Sequence, residues 1–552
     1  MPHMFHEPVC RVARSQHTWT RGFACSSVRS GTCAGSGWSR SCLLWEAVRD
    51  VAGFGESNPS GTRVEARALD RSLVRGVAWT AAAKWASQGL AWVSWLIVAR
   101  LLTPEDYGLV GMAAIYLGLI TLLSEFGLGT AVLAVRELSA GQLGQLNGLA
   151  VLLGLAGLLA SCAVAIPLGR FFHAPQLPLV VVAMSTTFVI TSFKTVPLAL
   201  LQRDLRFKAL AFIDLSQALV LAISMVGFAV AGFRYWTLVC GGVLSALIST
   251  GAILRLRRAP LAWPRRTSLK PAITLSSNVL ISRLCWYASS NADFLVAGRI
   301  LGKAALGFYN VGWTLANVPV DKVTALVGQV TPAVFSTVQT DPAALRRYLL
   351  RITEGIALIT FPLGLGLALV AQDFVLVVLG SKWSATIAPL RLLAAYAAFR
   401  SIIPLLPTVL HTIRDTRFEM WNMVAAAVVM PTSFYLCGQR WGTVGLALAW
   451  VLVDPFIALR LYRRVFSKIE LPVRAYFVAL WPALSGTALM AAVVLAVGVF
   501  SGSERPPGLR LAAQIGAGAI SYGLACVVLH RERLKAFREL IIGARRGSEG
   551  RG

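Results

Sequence analysis

The stretch ARLLTPEDYGL spans residues 99–109, directly after an apolar segment, and a related stretch occurs 199 positions later. There, residues 298–308 read GRILGKAALGF, so that Gly108 corresponds to Gly307. A repeat of this length within a long apolar chain indicates a duplicated membrane unit.

The repeat continues at an offset of 211 positions. Residues 204–207 (DLRF) correspond to residues 415–418 (DTRF), and Gly169 corresponds to Gly380. The change of offset implies about twelve additional residues in the second copy. An even number of helices in each copy makes the copies parallel, related by an axis along the membrane normal, so the pattern predicts a transporter with two lobes and a site between them.

Composition places the chain in the membrane class. Of 552 residues, 56% are hydrophobic and 14% are charged, and the mean hydropathy is +0.67. Soluble proteins carry about 25% charged residues. The net charge of +27 comes mostly from cations in short loops, which favours anionic membrane lipids as partners and excludes nucleic acid.

From Trp79 onward, apolar segments of about 20 residues follow one another, each long enough to span a hydrocarbon core of about 30 Å. The segments predict an all-α polytopic membrane protein with about 14 transmembrane helices. Pro319 interrupts the segment near 306–335, and Pro404 interrupts the one near 385–410.

The chain divides into five predicted parts. Residues 1–70 lack an apolar signal core, so we interpret them as a disordered extension or the product of a start codon assigned too far upstream. The remaining parts are an N-lobe with helices 1–6 (71–262), a C-lobe with helices 7–12 (263–470), a C-terminal helix pair (471–530) and a basic amphipathic cytoplasmic tail (531–552). The positive-inside rule predicts that both termini are cytoplasmic, in the cytoplasmic (inner) membrane.

Two cations occupy equivalent repeat positions inside apolar segments, Lys84 and Arg283. A charge at the centre of a membrane helix costs about 2.5–3.5 kcal/mol, so such residues usually face a wet cavity or a partner. We expect the pair to form a cationic substrate-binding patch near the midplane. The alternatives are snorkelling, or a structural pair of Arg283 with Asp293.

Three carboxylates are candidates for ion coupling: Asp293, Glu125 and Asp321. Carboxylates at membrane depth relay protons or bind ions in pumps and transporters. The alternative is a structural salt bridge at each position, for example between Asp321 and Lys322.

The first and seventh helices are too polar to face lipid on all sides. They carry five candidate cavity-lining residues: Gln88, Trp92, Asn278, Tyr287 and Asn291. Polar groups mixed with aromatic rings suit sugars, which need hydrogen bonds for their hydroxyls and ring faces for their C–H groups. The alternative is that these residues join helices to one another.

Enzyme chemistry has no signature in the sequence. The nine cysteines and six histidines show no metal-ligand spacing, and residues 298–303 are one position short of a phosphate-binding loop. We predict no catalytic residues, no metal and no cofactor. A membrane polymerase or ligase is an alternative of another functional class. Such an enzyme needs a large extracytoplasmic loop, and the loops between the predicted helices are too short to provide one.

Three motifs resemble the Wzx-type oligosaccharide flippases of the multidrug/oligosaccharidyl-lipid/polysaccharide exporter superfamily. They are ARLLTPEDYGL at 99–109, LLQRDLRFKAL at 200–210, and VLGSKW at 378–383 followed by APLRLL at 388–393. The resemblance covers about residues 71–530.

The resemblance implies two six-helix lobes arranged as a V that rock about a central cavity. It implies a polyprenyl-pyrophosphate-linked oligosaccharide as substrate, translocated for surface polysaccharide biosynthesis such as lipopolysaccharide or exopolysaccharide export. Polysaccharide polymerase or export machinery are the further partners it suggests. The alternative is an ion-coupled multidrug or metabolite antiporter of the same fold, although a Lys84/Arg283 pair would repel cationic drugs.

Overall fold

The computed structural model describes residues 84–125, 132, 139–204, 206–264, 286–288, 290–501, 506–529 and 531, without the side chains of residues 124, 125 and 207. All regular structure within these ranges is helical.

Six helices of the first lobe lie within the described ranges. They are α1 (84–101), α2 (Pro104–Glu125), α3 (Ala140–Phe171), α4 (Leu177–Arg203), α5 (Phe207–Val230) and α6 (Trp236–Leu256).

The described part of the second lobe contains short and long helices, and two further long helices follow it. The elements are α7 (Ala292–Val296) with a π-helical turn (Ala297–Leu301), α8 (Gly302–Thr337), α9 (Pro342–Phe374) with a π-helical turn (Val375–Leu379), a 3-10 helix (Ser381–Thr386), α10 (Ile387–Arg400), α11 (Leu405–Thr412), α12 (Thr416–Leu452), α13 (Asp454–Lys468), α14 (Val473–Phe500) and α15 (Pro507–Leu529).

The protein is a multi-pass membrane protein. Within the described ranges, ten helical segments are long and apolar enough to cross a membrane. The count of fourteen stays a prediction, in part because residues 265–285, which contain most of the seventh predicted segment, lie outside the described residues.

Proline acts differently in the two interrupted segments. Helix α8 continues through Pro319, whereas the chain makes a turn before Pro404, which separates α10 from α11.

Within α12, Gly442 has φ +58°, and the helix axis breaks there. Because a residue with a side chain rarely adopts this φ, glycine allows the break that separates two membrane passes.

The motif at 99–109 sets the start of α2. The Asp106 carboxylate accepts hydrogen bonds from the backbone N–H of Thr103 at 3.0 Å and from its hydroxyl at 2.7 Å, while the Asp106 N–H donates to the Thr103 hydroxyl at 3.3 Å. Pro104 fills the first helical position, where its missing N–H costs nothing. The residues therefore form a capping box that fixes where the helix begins.

In each of the repeated DLRF and DTRF motifs, the aspartate lies near an arginine at the end of, or within, a later helix. Asp204 lies 4.0 Å from Arg257, at the end of α6, and Asp415 accepts a 2.7 Å hydrogen bond from Arg464 in α13. This hydrogen bond lowers the pKa of Asp415, which lies between two membrane segments. The Asp415–Arg464 ion pair is therefore present at neutral pH and is lost only as pH falls through that lowered pKa.

The C-terminal helix pair packs on the second lobe. Helix α14 packs against α9, and α15 packs against both α14 and α9. A buried ion pair joins α15 to the end of α9: Arg510 donates from Nε to Asp373 at 2.7 Å and makes a second contact through Nη2. The side chains are 19% and 7% exposed, respectively, so burial prevents most solvent screening of this pair.

Candidate transport site

The two lobes meet where the repeat glycines lie. A Cβ atom on Gly108 would stand 1.6 Å from the carbonyl oxygen of Lys303, and one on Gly307 would stand 1.8 Å from that of Pro104. Pro104 and Lys303 are themselves separated by the repeat offset of 199 positions. The contact is therefore reciprocal, as a pseudo-two-fold axis requires, and it needs glycine on both sides.

Charged side chains surround this contact. Lys303 pairs with Glu105 across the lobes at 2.8 Å. Lys382 donates a 2.6 Å hydrogen bond to the carbonyl oxygen of Arg100, and Arg100 donates to that of Val377 at 3.1 Å. These groups are partly exposed, so each adds little stability, but together they join the two lobes around the glycine contact.

Tyr287 makes another contact between the lobes. Its hydroxyl donates a 2.9 Å hydrogen bond to the carbonyl oxygen of Ile115 in α2, close to Gly118. Asn291 donates from its side chain to the carbonyl oxygen of Tyr287 at 2.9 Å. Both residues are predicted to line a sugar cavity. In the structure the Tyr287 hydroxyl contacts the other lobe, and the Asn291 amide bonds the backbone four residues before it.

Lys84 lies at the start of the described part of α1 and is exposed. Lys84 and Lys194 are both close enough to Asp214 in α5 for electrostatic interaction, and Lys194 also donates to the Ser249 hydroxyl at 2.9 Å. The first lobe thus contains a polar cluster of two cations and one carboxylate. Sequence reasoning missed Asp214, although a lone acid within the apolar stretch AFIDLSQALV was a usable signal.

Asp293 is fully buried in the second lobe. Its carboxylate accepts hydrogen bonds from the Tyr309 hydroxyl at 2.7 Å, from the Trp450 indole N–H at 3.0 Å and from the backbone N–H of Phe294 at 2.9 Å. Three donors offset the cost of removing a carboxylate from water. Tyr309 lies in the next long helix, 16 residues along the chain, whereas Trp450 is 157 residues away. The sequence therefore gave no sign of the Trp450 contact.

Asp321 pairs with Arg400 rather than with its neighbour Lys322. Residues i and i+1 of a helix diverge around the axis, which explains why the adjacent pair does not form. Arg400 also lies over the Trp313 ring, 5.6 Å from its centroid.

The other predicted site residues divide into two groups. Gln88 and Trp92 lie on α1 and are partly exposed, with Trp92 packed edge-on against Trp95 at 5.8 Å. Arg283, Asn278 and the side chain of Glu125 lie outside the described residues. Whether Lys84 and Arg283 face one another stays a prediction.

The sequence from residue 97 to residue 388 matches the family described as "Polysaccharide biosynthesis protein". This match covers more than half of the chain. The chain belongs to this family.

Curated relatives are named for the synthesis of several surface polysaccharides. The chain is 26% identical to the lipopolysaccharide biosynthesis protein WzxC of Escherichia coli (75% of this chain, 85% of the relative). It is 23% identical to the teichuronic acid biosynthesis protein TuaB of Bacillus subtilis (82% and 95%). It is also 23% identical to the succinoglycan biosynthesis transport protein ExoT of Rhizobium meliloti (85% and 96%).

Solved structures share the fold. The lipid II flippase MurJ in an inward closed conformation aligns with a TM-score of 0.63 at 14% identity, over 83% of this chain and all of that one. An inward-facing multidrug resistance transporter of the MATE family aligns with a TM-score of 0.52 at 16% identity, over 69% and 95%. This protein therefore shares its fold with the superfamily that its sequence motifs indicate.

Proposed function

We propose that the protein translocates polyprenyl-pyrophosphate-linked oligosaccharides across the cytoplasmic membrane, for surface polysaccharide biosynthesis. The two lobes alternate between states open to the inner and to the outer leaflet. The lipid tail stays in the bilayer while the sugar and pyrophosphate cross through a hydrated path between the lobes.

The reciprocal glycine contact is the observation that carries the mechanism. Gly108 and Gly307 bring two long helices together at one end of the lobe interface, through surfaces that carry few side-chain atoms. The positive-inside rule predicts that this end faces outward and that both termini are cytoplasmic. The state described is thus closed to the outside, and separation of α2 from α8 is the movement that opens it.

The substrate class follows from the relatives. The three relatives reported above are named for the biosynthesis of three different products: lipopolysaccharide, teichuronic acid and succinoglycan. A carrier lipid common to different substrates, which we propose, would explain how one fold serves different polysaccharides. For this chain, binding through the carrier's pyrophosphate therefore fits better than recognition of one particular sugar.

We assign pyrophosphate binding to Lys84 and Arg283. Their equivalent repeat positions place one cation in each lobe, and the exposure of Lys84 leaves its ammonium accessible. Arginine suits planar, bidentate phosphate contacts, whereas lysine acts as a point charge. Gln88 and Trp92 lie further along α1 and are our candidates for contact with sugar hydroxyls and ring faces.

Asp293 is our candidate for ion coupling, because it is a fully buried carboxylate within a hydrogen-bonded group that links α7, α8 and α12. Uptake of a proton or cation there would change the packing of three helices at once. Glu125 and Asp321 remain weaker proposals, the latter because Arg400 already neutralises it.

Polysaccharide polymerase or export machinery are the proposed downstream partners.

The test is export in cells that lack their own flippase but supply the cognate lipid-linked oligosaccharide. The wild-type chain is expected to restore surface polysaccharide, and the Lys84→Ala/Arg283→Ala variant is expected to leave lipid-linked precursor in the inner leaflet. Arg440→Ala is the matched control, since Arg440 is exposed and outside the proposed site. Failure of the wild-type chain with its cognate precursor would overturn the function, while full export by the double variant would overturn the assigned cations.

A further inference from the structure

A cavity of about 650 Å³ opens between the first turns of α9 and α14. Four arginines line it: Arg346, Arg347, Arg351 and Arg474. One carboxylate, Glu354, lines it as well, so the formal charge of the lining is strongly positive. The volume falls within the range of about 300–1,000 Å³ that is usual for small-ligand sites.

Three features of the backbone and side chains favour a phosphate group there. Arg347 and Arg351 lie one helical turn apart on α9, so their side chains lie on the same side of the helix. Arg474 comes from α14, which places cations on two walls of the cavity. Pro472, the N-cap of α14, makes no side-chain hydrogen bond to the first turn, so the positive end of the helix dipole adds to the field at the cavity wall.

The surroundings indicate an amphiphile rather than a free anion. Val478 lines the cavity and is half exposed, and Phe477 and Trp481 on the same helix are 59% and 63% exposed. Exposed apolar side chains on a membrane-spanning helix face lipid tails. A ligand with its phosphate on the arginines therefore has an apolar surface directly beside it for its chains.

We propose that this cavity is a binding site for the headgroup of an anionic phospholipid of the inner leaflet. Both helices begin on the side that the basic loops predict to be cytoplasmic, and basic pockets between membrane helices on that side suit anionic headgroups. A headgroup with two phosphates, as in cardiolipin, matches cations on two walls. The bound lipid would join α14 to α9 and so hold the C-terminal helix pair against the second lobe.

The purified full-length protein provides the test, in nanodiscs of phosphatidylcholine titrated with cardiolipin. Bound lipid is counted by native mass spectrometry for the wild type and for Arg347→Gln/Arg351→Gln/Arg474→Gln. Arg346 is kept, because it donates a 2.7 Å hydrogen bond to the carbonyl oxygen of Glu470. The matched control carries the same charge change at exposed arginines outside the cavity, Arg417→Gln/Arg460→Gln/Arg463→Gln.

We expect the wild type to prefer cardiolipin to phosphatidylcholine, and the cavity variant to bind cardiolipin at least about tenfold more weakly, because each basic residue near an anionic headgroup contributes to binding. The control variant is expected to stay within about twofold of the wild type. Equal cardiolipin binding by the cavity variant and the wild type, or no preference in the wild type, would overturn the proposal.

A parallel titration with undecaprenyl pyrophosphate separates the two sources of phosphate. Loss of undecaprenyl pyrophosphate binding in the cavity variant, with cardiolipin binding unchanged, would assign the cavity to the transport substrate and reject the phospholipid. If the triple variant does not fold, as judged by its thermal unfolding, Arg474→Gln alone gives the same test, since Arg474 is exposed and lies in the first turn of α14. A loss of cardiolipin preference supports the proposal, and an unchanged preference rejects it.

Discussion

The indole N–H of Trp383 donates a 2.8 Å hydrogen bond across the lobes to the carbonyl oxygen of Ala99. The repeat offsets make Phe172 the equivalent of Trp383 and Gly298 the equivalent of Ala99. Phe172 indeed lies against Gly298, where a Cβ atom would stand 2.8 Å from its ring. The two halves therefore close with the same architecture, but the phenyl ring of Phe172 carries no N–H group, so the side-chain hydrogen bond forms on one side alone.

Replacement of Trp383 by Phe is expected to open the end of the lobe interface that we propose to face outward. Trp383 is fully buried, and its loss leaves the Ala99 carbonyl without that donor, at a cost of about 1–3 kcal/mol. The ratio of open to closed molecules should rise roughly 5- to 150-fold. Leu101 and Ser381 are both exposed and lie on opposite lobes. Spin labels at these two positions would report the opening as a longer distance in double electron–electron resonance. The control is Trp421→Phe, at an exposed position. An unchanged distance between the labels in Trp383→Phe would show that the Trp383–Ala99 hydrogen bond does not hold the lobes together.

Replacement of Gly108 by Ala is expected to prevent closure. The added methyl group would overlap the backbone of Lys303, which cannot move aside as a flexible side chain can. Alanine favours a helix over glycine by about 1 kcal/mol, so the helix itself should form. Export should fall to a small fraction of the wild-type level, and the same spin labels should show an open outer end.

Gly227→Ala is the matched control for this variant. Gly227 is also helical, in α5, and a Cβ atom there would meet no heavy atom within 4 Å. Normal export by Gly108→Ala would mean that closure of α2 on α8 is not part of the transport cycle.

Replacement of Asp293 by Asn tests the proposed ion coupling. Asparagine keeps the size of the side chain and one acceptor oxygen for Tyr309 and Trp450, so the variant should fold. A membrane potential of 100 mV is worth about 2.3 kcal/mol for each charge moved, roughly a fiftyfold bias. Transport into proteoliposomes with an imposed proton or sodium gradient should respond to the gradient in the wild type and not in the variant. The control is Asp341→Asn, which replaces one helix-capping residue by another at an exposed position, and it should respond to the gradient as the wild type does. A normal response in Asp293→Asn would show that the Asp293 carboxylate has a structural role and does not couple transport to an ion.

Replacement of Arg510 by Leu is expected to loosen the C-terminal helix pair. The change leaves the Asp373 carboxylate buried and unpaired, at a cost of about 3–5 kcal/mol. The Asp373→Leu/Arg510→Leu variant should recover much of this stability, because no buried charge remains. Thermal unfolding in detergent gives the comparison, with the exposed Arg391→Leu as control. Equal losses in the single and double variants would show that packing, and not charge, joins these helices.

Several features of the site were within reach of the sequence. The repeat offset related Gly108 to Gly307, although the capping of α2 by Thr103 and Asp106 was found only in the structure. Asp293 was identified as a buried carboxylate, since an ionised group in an apolar segment is costly wherever it occurs. Asp214 carried the same signal and was overlooked.

The sequence by itself determined the membrane class, the duplicated lobes and the family, because hydropathy and repeat spacing are properties of neighbouring residues along the chain. Tertiary structure decided the pairing: Asp321 with Arg400, Asp293 with Trp450, and Tyr287 with the backbone of α2. These choices depend on the rotation and approach of helices separated by many residues, and hydrogen-bond partners are fixed by distances of about 3 Å that no local pattern encodes.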